Sequence, residues 1–191
     1  MKYVDVNHDG VINASDKVDL GNGLPKYTFG FNVNLAWKGF DLSANFTGAA
    51  GFQIAQSYRD PSSSQANYSR RILKRWTGEG TSNEIPRVTY GDVGNWLFSE
   101  LYLQDGDYIR LQNLTMGYDF KKLISWKGLS KMRLYFQVQN LFTLTKYDGM
   151  DPEIGSFNGT NGNSSDSWVS GVDMGYYPHP RTFIVGLNLA F

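Results

Sequence analysis

The chain has no cysteine and only two histidines among its 191 residues. The first absence excludes disulfide staples, zinc ribbons and thiol catalysis. Neither His8 nor His179 comes with a nucleophile and an acid, so no hydrolytic triad and no enzymatic activity are expected. No run of 18 apolar residues occurs, which excludes a transmembrane helix. Net charge is absent too, with 18 basic residues against 18 acidic ones. Without a dense Lys/Arg cluster, nucleic acid is not an expected partner. After Met1, Lys2-Tyr3-Val4-Asp5-Val6 lacks the basic and apolar regions of an export signal.

What the chain does have is alternation. Tyr27, Phe29, Phe31, Val33, Leu35 and Trp37 alternate with Thr28, Gly30, Asn32, Asn34, Ala36 and Lys38. After Lys38-Gly39 the phase resumes with Phe40, Leu42, Ala44 and Phe46. Leu114, Met116, Tyr118 and Phe120 repeat it, as do Met132, Leu134, Phe136 and Val138. The last eleven residues give Phe183, Val185, Leu187, Leu189 and Phe191 on one side, with Ile184 the exception on the other. A period of two describes a strand with one apolar face. Five such strands are expected, at 27–37, 40–50, 107–120, 131–147 and 181–191. Aromatics at 15% and 21 glycines fit strands and turns.

Two architectures bury such faces. A soluble β-sandwich packs them against each other; an outer-membrane β-barrel turns them to lipid, crossing with strands of about 9–11 residues. Aromatics near strand ends, such as Tyr27, Trp37, Phe40, Tyr118 and Phe191, favour the barrel. A mean hydropathy of −0.39 does not oppose it, because only alternate residues meet lipid. Connection lengths alternate as well. Lys38-Gly39 and Lys121–Ser130 are short, whereas 51–106 and 148–180 are long. Bacterial barrels carry short periplasmic turns and long extracellular loops. The fold expected is therefore all-β: antiparallel up-and-down strands of a transmembrane β-barrel, about the last five of it. Residues 1–191 form a single partial domain, with 1–26, 51–106 and 148–180 as extracellular loops. A short helix is expected over 66–76.

One stretch has metal-ligand spacing. Asp5, Asn7 and Asp9 occupy positions one, three and five of an EF-hand-type loop, Gly10 makes the turn, Val11 offers its carbonyl and Asp16 stands at position twelve. The flanking helices are missing, and an Asx-rich turn without an ion fits the same residues. No cofactor is required; calcium is the one ion these residues suit.

The order of the blocks resembles a known family. Asp5-Val-Asn-His-Asp-Gly-Val-Ile12, Gly23-Leu-Pro25, Arg75-Trp76-Thr77 and Ile85-Pro86-Arg87 look like the late barrel of SusC/RagA-type TonB-linked outer-membrane proteins. So do Asp107–Tyr118, Arg133–Tyr147, Asp151-Pro152-Glu153 and Tyr177-Pro178 through Phe191. The resemblance implies a C-terminal piece of a large outer-membrane transporter that imports glycans or peptides. It further implies a SusD-like surface lipoprotein as lid and a TonB complex acting through a part not present here. An outer-membrane protein needs an export signal, so the chain is expected to be a piece of a longer one. Trp76, Tyr90, Trp96, Trp168, Tyr176 and Tyr177 lie in the expected outside loops and are candidates for substrate stacking or lid contact. The rival reading is a secreted carbohydrate-binding β-sandwich with a dockerin-like calcium loop.

Overall fold

Eleven consecutive residues that alternate ring or branched side chains with small polar ones form the first strand, β1 (Tyr27–Trp37). The computed structural model describes residues 3–57, 70–88, 98–124, 126–154 and 170–191. Lys38 and Gly39 both have positive φ, 47° and 99°, as a tight I′-type hairpin turn requires. They return the chain into β2 (Phe40–Ala50), which pairs with β1 along its whole length, from Trp37 opposite Phe40 to Tyr27 opposite Ala50.

Six further strands follow: β3 (Gln53–Gln56), β4 (Leu103–Asp105), β5 (Tyr108–Asp119), β6 (Lys131–Thr145), β7 (Val172–Asp173) and β8 (Thr182–Ala190). The large sheet has the order β1-β2-β5-β6-β8, and every neighbouring pair in it is antiparallel. That is the meander expected from alternation and turn length. The short link between β5 and β6 begins with a 3-10 turn, Phe120–Lys122, capped by the Asp119 carboxylate on the Lys121 amide at 2.9 Å.

The register sorts the sheet into two chemistries. One face carries the rows Leu35–Leu42–Met116–Phe136–Val185 and Val33–Ala44–Leu114–Val138–Phe183. Phe31 stacks on Phe46 with ring centroids 4.5 Å apart, and Phe40 meets Tyr118 at 4.3 Å. Such aromatic pairs add about 0.5–1.5 kcal/mol each beyond area burial. Yet Phe29, Phe31, Val33, Leu35, Phe136, Val185, Leu187 and Leu189 all remain exposed. Among the described residues no second sheet covers them, so the sandwich arrangement is not the one adopted.

Two features depart from plain alternation. A bulge at Gln112 inserts one residue between Leu111, opposite Phe46, and Asn113, opposite Asn45. Asn140 across the ladder adopts a left-handed φ of 52° where the β5–β6 register also shifts. The bulge reverses the phase of β5, so that Leu111 joins the apolar face and Arg110 turns to the polar one. The second departure lies in the expected loops. Segment 51–106 contributes β3 and β4, and segment 148–180 contributes β7, forming a small sheet in the order β4-β3-β7 with β3 and β7 parallel. Within 66–76 the described part holds a 3-10 turn, Arg70–Lys74. The buried cluster sits here, where Ala49, Phe52, Ile54 and Tyr147 pack with Tyr108 and Ile154.

Candidate functional site

The polar face of the large sheet is built from amides and hydroxyls at the positions between the apolar ones. The register lines up Asn32, Asn45, Asn113 and Gln139 in one row, and Asn34, Ser43, Thr115 and Gln137 in the next, with Ile184 at its end. Gln137 Nε2 donates to Asn113 Oδ1 at 3.4 Å. Nearer the short turns, Arg133 donates through Nε to Asp41 Oδ1 at 2.8 Å and through Nη2 to Oδ2. Its guanidinium also lies 5.1 Å from the Tyr135 ring centre. Gly117 and Gly186 make room for these two side chains; a Cβ at either would run into Arg133 or Tyr135. The face is a wettable wall of neutral donors and acceptors, suited to polar solute or polar protein.

At the opposite end the wall closes against the long loops. Arg110 is 3% exposed and its donors are spread over three acceptors: Thr143 Oγ1 at 2.9 Å, Glu153 Oε2 at 2.8 Å and Asp151 Oδ1. Asp151 also takes the His179 amide and faces the His179 ring, both at 3.1 Å. Burial pushes the Asp151 carboxyl up. The Glu153 and His179 amides, the His179 ring and Arg110 outweigh it and hold the carboxyl below the usual carboxylate range. One guanidinium thereby fastens both the start and the end of the final loop to the sheet.

A second set of bonds ties the small sheet in place. Asp148 accepts from Gln56 at 2.8 Å and Gln104 at 2.6 Å, and the Tyr147 hydroxyl donates to buried Asp173. Residues 51 and 107 are joined by the Gly51 amide on Asp107 at 2.6 Å. Sequence reading missed Arg110 and Asp173 as organisers and placed His179 only as a loop residue. The signal for the first was available: an arginine within an otherwise membrane-length strand, 41 residues before an Asp-Pro-Glu block.

The calcium-type residues lie together in the N-terminal loop. Asp5 accepts from the Asp9 and Gly10 amides at 3.2 and 2.8 Å, and Asp9 from the Val11 amide at 2.8 Å. Asn7 bridges to Asp9 through its side-chain amide at 2.9 Å. Asp16, at the end of the 3-10 turn Ala14–Asp16, closes the loop on the Val6 and Asn13 amides at 2.9 and 2.7 Å. Those amides hold its carboxyl below the usual range. Among the described residues no three acidic or histidine side chains are gathered closely enough to hold a metal by themselves.

Of the loop aromatics, Trp76 donates its amide to Ile85 at 2.8 Å and lines an open groove of about 2070 Å3. The groove runs between the N-terminal segment, with Val4, Ile12 and Asp16, and the loop residues Arg87, Phe98 and Glu100. Tyr176 is half-buried on Asp173, its amide 3.2 Å from Oδ1, and Tyr177 is exposed; neither lines that groove. Tyr90, Trp96 and Trp168 lie outside the described residues.

No family model matches the chain. It is 35% identical to TonB-dependent receptor P3 of Formosa agariphila over 191 residues, covering 99% of this chain and 19% of that protein. Against TonB-dependent receptor SusC of Bacteroides thetaiotaomicron the identity is 28%, over 99% of this chain and 17% of SusC. Among solved structures, the RagAB peptide transporter superposes with a TM-score of 0.72 at 23% identity, over 95% of this chain and 19% of its counterpart. The chain thus spans about a fifth of the length of the proteins it matches. The fold in common is a β-barrel segment.

Proposed function

We propose that this chain, 35% identical to TonB-dependent receptor P3 and 28% identical to TonB-dependent receptor SusC, is a SusC/RagA-like segment that supplies the C-terminal strands of an outer-membrane nutrient transporter. In this reading the exposed apolar face meets lipid, and the amide-lined face borders the lumen. The short turns point to the periplasm and the long loops to the outside. The carrying observation is one sheet with an uninterrupted apolar face and a polar opposite face over five membrane-length strands. Five strands cannot close, since the smallest barrels have eight; the free edges of β1 and β8 would be completed by strands from the rest of the receptor.

Glycans are the proposed cargo, captured under a SusD-like lipoprotein that seats on the long loops and released inward by energy from the TonB complex. The groove beside Trp76 and the exposed Tyr177 are where sugar or lid would make contact. Peptides are the competing cargo. Deleting the full receptor gene and growing the strain on defined glycans or peptides separates them. Loss of growth on one glycan class supports the reading, loss on peptides alone replaces it, and a receptor found in the soluble fraction overturns both.

A structural calcium ion in the N-terminal loop is a smaller part of the proposal. Asp5, Asn7, Asp9, Asp16 and the Val11 carbonyl would hold it. Support comes from the way Asp5 and Asp16 already span the loop to bind its amides.

A further inference from the structure

At the short-turn end, lysines are coupled to indoles on the apolar face. Lys38 folds back so that its Nζ lies 5.0 Å from the Trp37 ring centre. Trp37 is exposed and ends the apolar file of β1. Four strands along, beside the end of β8, Trp126 rests edge-on against Phe191 with centroids 6.3 Å apart. Lys121 Nζ donates to the Trp126 carbonyl at 2.8 Å, and exposed Lys127 is its chain neighbour. By strand spacing the two stand about 19 Å apart, at opposite edges of the sheet. Among the described residues, Lys38 and Lys127 have no carboxylate within ion-pair distance. Two carboxylates on this rim are engaged, Asp41 by Arg133 and Asp119 by the Lys121 amide.

The other end of the sheet mixes both signs. Its strand ends carry Asp105, Asp107, Asp148, Asp151 and Glu153 against Lys26, Arg110, Lys146 and Arg181. An indole at membrane-interface depth beside an unpaired ammonium is the chemistry that takes a phospholipid: ring against the glycerol region, cation on the phosphate. One such pair at Trp37 and Lys38, with Lys121 on the Trp126 carbonyl and Lys127 next to it in the chain, makes a cationic rim that discriminates by charge.

Resting on the barrel reading above, we infer that Trp37/Lys38 and Trp126/Lys127 form a collar that binds anionic phospholipid headgroups at the periplasmic leaflet. The occupant is a phosphatidylglycerol-type lipid rather than free phosphate, because the indoles require a partner embedded in the bilayer. Lys121 positions Trp126 through its carbonyl contact.

The test uses the full receptor in vesicles of phosphatidylcholine mixed with phosphatidylglycerol, one or the other brominated to quench nearby tryptophan. Trp126 is read as the difference between the wild type and Trp126→Phe, and Trp37 likewise. Brominated phosphatidylglycerol is expected to quench about threefold more strongly than brominated phosphatidylcholine at low salt. The Lys38→Gln/Lys127→Gln double variant should bring the two to parity without loss of total quenching. Equal quenching in the wild type, or a preference that survives in the double variant, overturns the inference and leaves the barrel intact. Absence of quenching by either lipid removes the barrel reading itself, and the collar with it.

Discussion

Arg110 and Asp151 form a buried ion pair that joins the polar wall of the sheet to the first residues of the final loop, 3% and 6% exposed respectively. Removing Asp151 leaves the buried guanidinium with only Thr143 and the exposed Glu153 carboxylate, so the cost should fall below the about 3–5 kcal/mol of a wholly stranded charge. Asp151→Ala in the full receptor should therefore free the loop that begins there. Limited proteolysis would show new cleavage within 148–180 while the heat-modifiable barrel band persists. The paired change Arg110→Met/Asp151→Leu should recover much of the loss, because an apolar pair leaves no stranded charge. An Asp151→Ala receptor as protease-resistant as the wild type would show that the small sheet alone holds the loop.

The same contact sets a pH dependence. Asp151 has a folded-state value below its unfolded one, held down by the Glu153 and His179 amides, the His179 ring and Arg110 against the opposing effect of burial. A depressed carboxyl contributes stability that is present above its unfolded value and lost as pH falls through its folded one. The loop is expected to stay docked at about pH 5 and to let go only below the ordinary carboxylate range. Cleavage rates in 148–180 measured with an acid-tolerant protease down a pH series check this; release in near-neutral buffer contradicts it.

For the N-terminal loop, millimolar calcium should slow cleavage between residues 3 and 16, and Asp5→Asn/Asp9→Asn should abolish that protection. The barrel should assemble in both cases, since the loop lies outside the strands. If calcium leaves the cleavage rate of the wild type unchanged, Asp5, Asp9 and Asp16 serve only as acceptors for the loop's own amides.

Strand positions were legible because one face is apolar throughout: β1 and β2 run over the residues expected, and β5, β6 and β8 differ by one or two at their ends. Phe191, expected to end the last strand, lies one residue beyond it and packs on Trp126. What alternation hides is a change of phase. Continued past Asn113, it would put Arg110 on the apolar face, a costly place for a charge. The bulge at Gln112 turns it inward to Asp151. The small sheet was illegible for a different reason. Its strands have four, three and two residues, too few to show a period, and its parallel pair joins Ala55 to Val172. The turn of the chain around His179 carried no pattern either; it meets one oxygen of Asp151 while Arg110, which the bulge presents, takes the other.

The two-faced sheet is tested most directly at two adjacent residues of β1. Val33 points to the apolar face, opposite Ala44, and Asn32 to the polar face, opposite Asn45. Both lie near the middle of the strand. The unfolding free energy of the full receptor in lipid vesicles should fall by about 2–4 kcal/mol for Val33→Arg, because the charge enters the bilayer midplane. Asn32→Arg, which enters the water-accessible lumen, should change it by less than about 1 kcal/mol. That difference is what the account predicts. Equal tolerance at both positions, or a larger loss at Asn32 than at Val33, would contradict it, since the apolar face would then not be the one in lipid.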